Sequence, residues 1–180
     1  MGSIRVHEFM SLDGAIEAPT CTAAYGFDPR MGEALASAMA GCDAILLGRK
    51  TFEMFEPAWS VRTVEDDPGA PFFNDTMKYV VSSTLESPTW RNSTVLGAYD
   101  QDTIRRLKSE SNGIYISGSG TLVRALLADG LVDELYLIVY PLTLGGSHRL
   151  FADDASGTKW SLATSQSYDN GVLFLNYKKA

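Results

Sequence analysis

Short apolar runs that alternate with helix-like segments are the feature that most limits how this chain can fold. Residues 44–47, 79–81, 114–116 and 135–140 are almost wholly apolar, and 94–96 is a weaker run of the same kind. Runs of this length are typical of strands that are buried on both faces, as they are in a parallel sheet. Residues 4–10 alternate in part and predict a further strand at the start of the chain.

The segments between these runs have the features of helices. Asp28 followed by Pro29 is a good helix start, because Asp caps the first turn and Pro is favoured at the first helical position. Six residues then follow at spacings of three and four, which predicts one apolar helix face ending near Gly41: Met31, Ala34, Leu35, Ala38, Met39 and Cys42. Shorter helices are predicted from about Thr51, over 100–108 and over 122–127. Residues 63–75 are polar and turn-rich, and predict a surface loop.

The last part of the chain predicts a hairpin. Asn170-Gly171 lies between two strand-like segments, 160–168 and 172–177, and Asn-Gly is a strong hairpin signal. Taken together, the pattern predicts one domain over residues 1–180. Its expected architecture is three-layer α/β, with a mostly parallel central sheet and an antiparallel C-terminal hairpin. Ligands in such sheets bind at the carboxyl ends of the strands, so we look for function there.

Composition narrows the functional classes. The chain has 180 residues, of which 45% are apolar, so it has enough apolar material for a core. Lys and Arg number 15 against 22 Asp and Glu, a net charge of −7, and a nucleic-acid partner is therefore not expected. Two cysteines are too few for a disulfide framework. We expect a cytoplasmic protein with no membrane segment and no metal site.

Three of the strand ends carry groups that bind phosphate. The segment Gly118-Ser119-Gly120-Thr121 lies between a strand and a helix, where backbone N–H groups and the helix dipole favour an anion. A pyrophosphate would fit there, but an ordinary glycine-rich turn fits the same residues. Gly48-Arg49-Lys50-Thr51 places two cations at a helix start, where cations are disfavoured unless an anion offsets the dipole. Ser82-Ser83-Thr84 offers further hydroxyls or a plain strand end.

Other candidates concern the substrate. Asp13-Gly14 follows the first strand, either as a turn or as a carboxylate that orients a ligand or relays a proton. Phe55 and Trp59 lie at helical spacing from Phe52, which indicates a buried helix face or a wall for a flat heterocycle. Glu33 lies opposite the apolar face of its helix and should face solvent.

Five of these segments, taken in order, resemble the riboflavin-biosynthesis reductase C-terminal domain family (RibD C-terminal-like), which has a dihydrofolate reductase-like fold. The segments that carry the resemblance are 11–14, 43–53, 78–85, 118–122 and 131–135. The resemblance covers essentially the whole chain and also includes 140–141, 145–146 and 149–151.

The resemblance implies an NADPH-binding domain, often a homodimer. It implies that Gly48, Arg49 and Thr51, with Lys50 beside them, hold the adenosine side of the cofactor and that Arg49 contacts its 2′-phosphate. Ser82, Ser83 and Thr84 would add to this pocket, and the pyrophosphate would bind Gly118, Ser119, Gly120, Thr121 and Leu122. Asp13 is the candidate catalytic residue. Substrate contacts are expected from Gly14, Phe55, Trp59 and Tyr140.

Two functional hypotheses follow. The first is an NADPH-dependent reductase that transfers a hydride to a small heterocyclic (pterin- or pyrimidine-like) or carbonyl substrate. The alternative is a non-catalytic NADP(H)-binding or sensing module; the lack of an acid on the inner face of the first helix supports it. A third interpretation, in which every glycine turn is only a turn, predicts no nucleotide binding.

Overall fold

The computed structural model describes residues 2–16, 19–145, 148–151 and 157–180. These residues form eight strands, five α-helices and one 3-10 helix over Pro19–Tyr25. The strands are β1 (Ser3–Ser11), β2 (Ala44–Gly48), β3 (Met77–Val81), β4 (Ser93–Gly97), β5 (Gly113–Ser117), β6 (Glu134–Tyr140), β7 (Trp160–Ser167) and β8 (Leu173–Lys179). The helices are α1 (Pro29–Met39), α2 (Arg49–Trp59), α3 (Ala70–Asp75), α4 (Gln101–Glu110) and α5 (Gly120–Ala128).

All eight strands belong to one sheet, in the order β4-β3-β2-β5-β1-β6-β8-β7. The six strands from β4 to β6 are parallel, and β8 then pairs antiparallel with both β6 and β7. The predicted architecture, a mostly parallel sheet with an antiparallel C-terminal hairpin, is confirmed.

Helices cover both faces of the sheet and make three layers. On one face, Ile104 of α4 and Leu126 of α5 are buried against the strands. On the other face, Met31 of α1, Phe52 of α2 and Phe73 of α3 form a second core. Within the described parts of the chain, no helix is long and apolar enough to cross a membrane.

The predicted start of α1 is present. The Asp28 carboxylate accepts a hydrogen bond from the backbone N–H of Arg30 (2.9 Å), and Pro29 is the first helical residue. The helix ends at Met39, slightly earlier than expected, and Gly41 follows with φ +74°. A positive φ strains other residues more than glycine, so Gly41 suits this exit from the helix.

The C-terminal hairpin also forms as expected. Its loop is closed by Tyr168 and Val172, whose backbones are joined by a 2.9 Å hydrogen bond. Gly171 has φ +83°, the left-handed conformation that such a loop requires at this position.

The prediction of a surface loop over 63–75 is wrong for its second half, where α3 forms. The helix has only six residues, too few for an apolar period to be visible in the sequence. It forms because Ala70 and Phe73 are buried, and Phe73 packs in the core with residues of the sheet. Lys78 on β3 also holds its end, as its ammonium group donates to the carbonyls of Phe73 (2.8 Å), Asn74 (3.3 Å) and Thr76 (2.9 Å).

Candidate active site

A cavity of about 650 Å³ opens at the carboxyl ends of β1, β2, β3, β5 and β6. Its size lies within the usual range for small-molecule and cofactor sites. Eleven of the residues predicted to bind cofactor or substrate line it: Gly48, Arg49, Lys50, Thr51, Phe55, Gly118, Ser119, Gly120, Thr121, Leu122 and Tyr140. The parallel topology brings them together from three separate segments, because the strands that precede or carry them (β2, β5 and β6) end at the same edge of the sheet.

Ser119 joins two helix N-termini at the wall of this cavity. Its hydroxyl accepts a hydrogen bond from the backbone N–H of Gly48 (2.8 Å), the residue that precedes α2. The same hydroxyl donates to Oγ1 of Thr51 in the first turn of α2 (2.6 Å). Ser119 is itself the residue that precedes α5, so the positive ends of both helix dipoles meet here.

The Ser119 hydroxyl is used by these contacts and does not cap its own helix. The first three N–H groups of an α-helix have no partner within the helix, and a cap normally satisfies one of them. Gly118 and Ser119 are both left-handed, with φ +75° and +67°. Successive backbone N–H groups in such turns can form a concave site for an anion. The arrangement suits a phosphate or pyrophosphate.

Two glycines in this wall are required by close contacts. A Cβ at Gly48 would lie 2.6 Å from Oγ of Ser119, and a Cβ at Gly120 would lie 2.8 Å from Cδ1 of Ile16. Neither position can therefore carry a side chain unless its neighbour moves. The glycines keep the two helix starts close together and the backbone accessible.

Positive side chains surround the helix starts, although the chain as a whole is acidic. Arg49 and Lys50 lie in the first turn of α2, and Arg124 lies on α5. Arg49 forms an ion pair with Glu53 one turn later (2.9 Å), and both side chains are about half exposed. Such an exposed pair contributes little to stability, so a phosphate could take over the guanidinium at low cost.

The predicted hydroxyl cluster lies outside the described wall of the cavity, which Val81 of the same strand lines. Ser82 is buried, and its hydroxyl accepts hydrogen bonds from the N–H groups of Thr84 (3.1 Å) and Leu85 (2.9 Å). This hydroxyl stabilises a turn. Ser83 and Thr84 are exposed beyond it, and their contact with a cofactor stays a prediction.

Asp13 and Gly14 lie next to the cavity but do not belong to its described wall. The Asp13 carboxylate accepts hydrogen bonds from the hydroxyl of Ser11 and from the N–H groups of Leu144 (3.2 Å) and Gly145 (2.8 Å). These bonds lower the pKa of Asp13 to about 2. The same bonds favour a role for Asp13 in orienting a ligand over a role in relaying a proton. A carboxylate held in this way carries no proton at neutral pH.

The predicted aromatic wall divides into two parts. Phe55 and Tyr140 line the cavity. Trp59 lies outside its described wall and stacks on Phe73, with ring centroids 4.2 Å apart. Phe52 is fully buried. Phe52 and Trp59 therefore belong to the packed face of the helix, whereas Phe55 lines the cavity.

Glu8, which lies on β1 and lines the cavity, is a site residue that was not expected from the sequence. Its side chain is buried, and burial raises its pKa to about 8. The signal was present in the pattern of β1. Ile4, Val6 and Met10 alternate as apolar residues on one phase of the strand, and Glu8 interrupts that phase with a charge. In the described residues, no group of three or more potential metal ligands is found.

The fold and this cavity define a class: α/β domains with a ligand-sized cavity where the parallel strands end. Comparison with known proteins gives the family. The model of the RibD C-terminal domain matches residues 3–174, and the chain belongs to that family. The resemblance that the sequence motifs indicated is thus confirmed.

Similar proteins cover nearly all of the chain. The uncharacterized protein YyaP of Bacillus subtilis is 25% identical, over 93% of this chain and 90% of its own length. A putative riboflavin biosynthesis protein from Shewanella has a TM-score of 0.79 at 19% identity, with 99% of both chains covered. A pyrimidine reductase-like protein from Corynebacterium diphtheriae has a TM-score of 0.65 at 18% identity, with 99% of this chain and 92% of that one covered. The chain also matches Acinetobacter baumannii RibD (TM-score 0.64, 21% identity), covering 58% of that longer protein.

Proposed function

We propose that this protein is an NADPH-dependent reductase, which transfers a hydride to a small heterocyclic (pterin- or pyrimidine-like) or carbonyl substrate. Membership of the RibD C-terminal domain family supports a reductase-type role. The observation that carries the proposal is the meeting of two helix N-termini in one cavity, joined through Ser119 and flanked by Arg49, Lys50 and Arg124.

The residues present fit this cofactor. A pyrophosphate would lie against the start of α5, where Ser119 leaves the first N–H groups of the helix without a side-chain cap. A 2′-phosphate would suit the guanidinium of Arg49, whose planar fork matches a phosphate with two hydrogen bonds. When bound, the cofactor supplies the hydride.

The remaining cavity residues would orient the substrate and exclude water. Ile16, Met54, Phe55, Leu122 and Tyr140 give the cavity an apolar wall against which a flat ring can pack. Asp13 would act indirectly, because its hydrogen bonds hold the backbone at Leu144, and Leu144 lines the cavity. Homodimer formation and a cytoplasmic location stay predictions.

The alternative, an NADP(H)-binding module without turnover, rests on the absence of an acid on the inner face of α1. Glu33 is indeed exposed, as expected. Oxidation of NADPH with pteridine or pyrimidine acceptors separates the two functions: turnover supports the reductase, and binding without oxidation supports the module.

The cofactor proposal is tested by thermal unfolding with NADPH and with NADH, on the wild type and on Arg49→Ala. A ligand at about 100 times its Kd stabilises a fold by roughly 2.7 kcal/mol, which is a shift of several degrees in Tm for a chain of this size. We expect a larger shift with NADPH than with NADH. Arg49→Ala should remove that difference, because only NADPH carries the phosphate that Arg49 would bind.

The matched control is Arg106→Ala, which removes an exposed arginine on α4, away from the described wall of the cavity. It should keep the preference for NADPH. If neither nucleotide moves the Tm of the wild type, the proposed cofactor is wrong.

A further inference from the structure

Glu8 is a buried acid that lines the cavity, and one of its carboxyl oxygens is unsatisfied. It lies on the central strand β1, opposite Leu137 of β6, and only 4% of the residue is exposed. Its Oε1 atom is buried and has no hydrogen-bond partner among the described residues. None of the ion pairs found among those residues includes Glu8.

A structural role does not account for this acid. Burying a polar group without a partner destabilises a fold, whereas Ile4, Val6 and Met10 on the same phase of β1 pack in the core as apolar residues. An aliphatic residue at position 8 would complete that row. Buried polar groups without partners are rare in folded proteins, and in a cavity wall they indicate a group that meets a ligand.

The surroundings of Glu8 favour its neutral form. Burial is the cause that raises its pKa to about 8, so the carboxyl carries its proton at pH 7. The titratable side chains that share the cavity are Arg49, Lys50, Tyr99, Arg124, Tyr140 and His148. On the face of Glu8, α5 contributes Arg124, and α4 contributes exposed charges and the buried Lys108, which is paired with Asp133 (2.6 Å). The strands beside β1 contribute Tyr115, Glu134 and Tyr136, whose register places them on the opposite face of the sheet.

We propose that Glu8 is the proton donor of the reductase, a neutral carboxylic acid that hydrogen-bonds the acceptor heteroatom of the substrate and then protonates it. The inference rests on the proposed function and adds a residue to it. It also supplies the acid that α1 lacks, from a different element of the fold.

The step balances with one hydride and one proton. The π bond of a C=O or C=N group breaks as its carbon gains the hydride, and NADPH is oxidised to NADP⁺. The oxygen or nitrogen gains the proton as the O–H bond of Glu8 breaks, which leaves a carboxylate in the cavity wall. That carboxylate then regains a proton from the solvent, because its raised pKa favours the acid form at pH 7.

The first test measures the protonation of Glu8 without any turnover. Infrared spectra of the wild type, recorded from pH 5 to 9, should show the carbonyl band of a protonated carboxylic acid that is lost with a midpoint near pH 8. Glu8→Gln should lack this band, and Glu33→Gln, which changes an exposed glutamate, should retain it. A wild-type Glu8 that is already ionised at pH 6 overturns the proposal.

The second test measures NADPH oxidation with the pteridine and pyrimidine acceptors named above. Glu8→Gln keeps the shape of the side chain but cannot donate an acidic proton, so kcat should fall about 100-fold or more, while the NADPH-induced Tm shift is unchanged. The wild-type kcat should decrease above pH 8. A variant within threefold of the wild-type kcat overturns the role of Glu8 and leaves the reductase in place. NADPH binding without oxidation of any acceptor overturns both.

Discussion

The hydroxyl of Ser119 accepts one hydrogen bond and donates another, and it does not cap its own helix. It joins the start of α5 to Gly48 and Thr51, and so determines the distance between two helix N-termini. The cost is a left-handed backbone at a residue that is not glycine, with φ +67°. Such strain is typical of functional sites.

Ser119→Ala should therefore destabilise the fold and weaken cofactor binding. Two hydrogen bonds are lost, each worth about 1 kcal/mol, so we expect the free energy of unfolding to fall by about 1–3 kcal/mol. The NADPH-induced Tm shift should also decrease, because the two helix starts are no longer held together. Urea unfolding and the thermal titration measure the two effects.

Ser109→Ala is the matched control, because the Ser109 hydroxyl makes one hydrogen bond to a backbone carbonyl at the exposed end of α4. It should change stability by less than about 1 kcal/mol and leave the NADPH shift intact. A Ser119→Ala variant that binds NADPH like the wild type would show that the junction is not needed for the cofactor.

At the scale of elements, α3 depends on a contact from outside itself. A six-residue helix has almost no stability of its own. Lys78 on β3 has no exposed surface and donates to three carbonyls at the end of α3, while its ammonium also lies 4.5 Å from the ring centroid of Trp90. The lysine thus replaces a C-terminal cap.

Lys78→Met should destabilise the protein by about 2–4 kcal/mol, because methionine keeps the apolar stem but removes the Lys78 donor from the carbonyls of Phe73 and Thr76. The carbonyl of Asn74 keeps donors from Arg91 and Asn92. Backbone amides of α3 should lose protection in hydrogen exchange before those of β2 and β5. Lys159→Met, a change at an exposed position, is the control. Retained protection across 70–75 in Lys78→Met would contradict this role.

At the scale of the whole molecule, two neighbouring buried groups of β1 determine part of the pH dependence of stability. Burial lowers the pKa of His7 from 6.5 to about 4 and raises that of Glu8 from 4.5 to about 8. Between about pH 4.5 and 6.5 the unfolded chain binds one more proton at His7 and the folded chain one more at Glu8, so the two effects cancel. From about pH 6.5 to 8 only Glu8 contributes, and it makes stability fall as pH rises.

The expected fall from Glu8 is about 1 kcal/mol per pH unit between pH 6.5 and 8. Glu8→Gln should remove this slope, and its stability relative to the wild type should increase towards pH 8. Denaturant unfolding at several pH values measures this, with Glu33→Gln as the control that keeps the slope. Parallel curves for wild type and Glu8→Gln would contradict a buried neutral acid.

The sequence by itself determined the elements, their order and the edge of the sheet where the cavity lies. Apolar period, helix caps and the Asn170-Gly171 turn depend on neighbours along the chain, so they can be read from it. The helix α3 was not predicted, because it is stabilised by contacts from Lys78 on the strand β3 and not by its own sequence pattern.

The tertiary structure decided the chemical state of the candidate groups. The Asp13 carboxylate is held by the N–H group of Gly145, 132 residues further along the chain. The Ser119 hydroxyl accepts a hydrogen bond from Gly48, which lies 71 residues away in the sequence. Burial between the layers raises the pKa of Glu8 to about 8, and none of the ion pairs found among the described residues includes it. Burial and long-range hydrogen bonds arise only once the strands have assembled, which is why residue type alone pointed to Asp13 and not to Glu8.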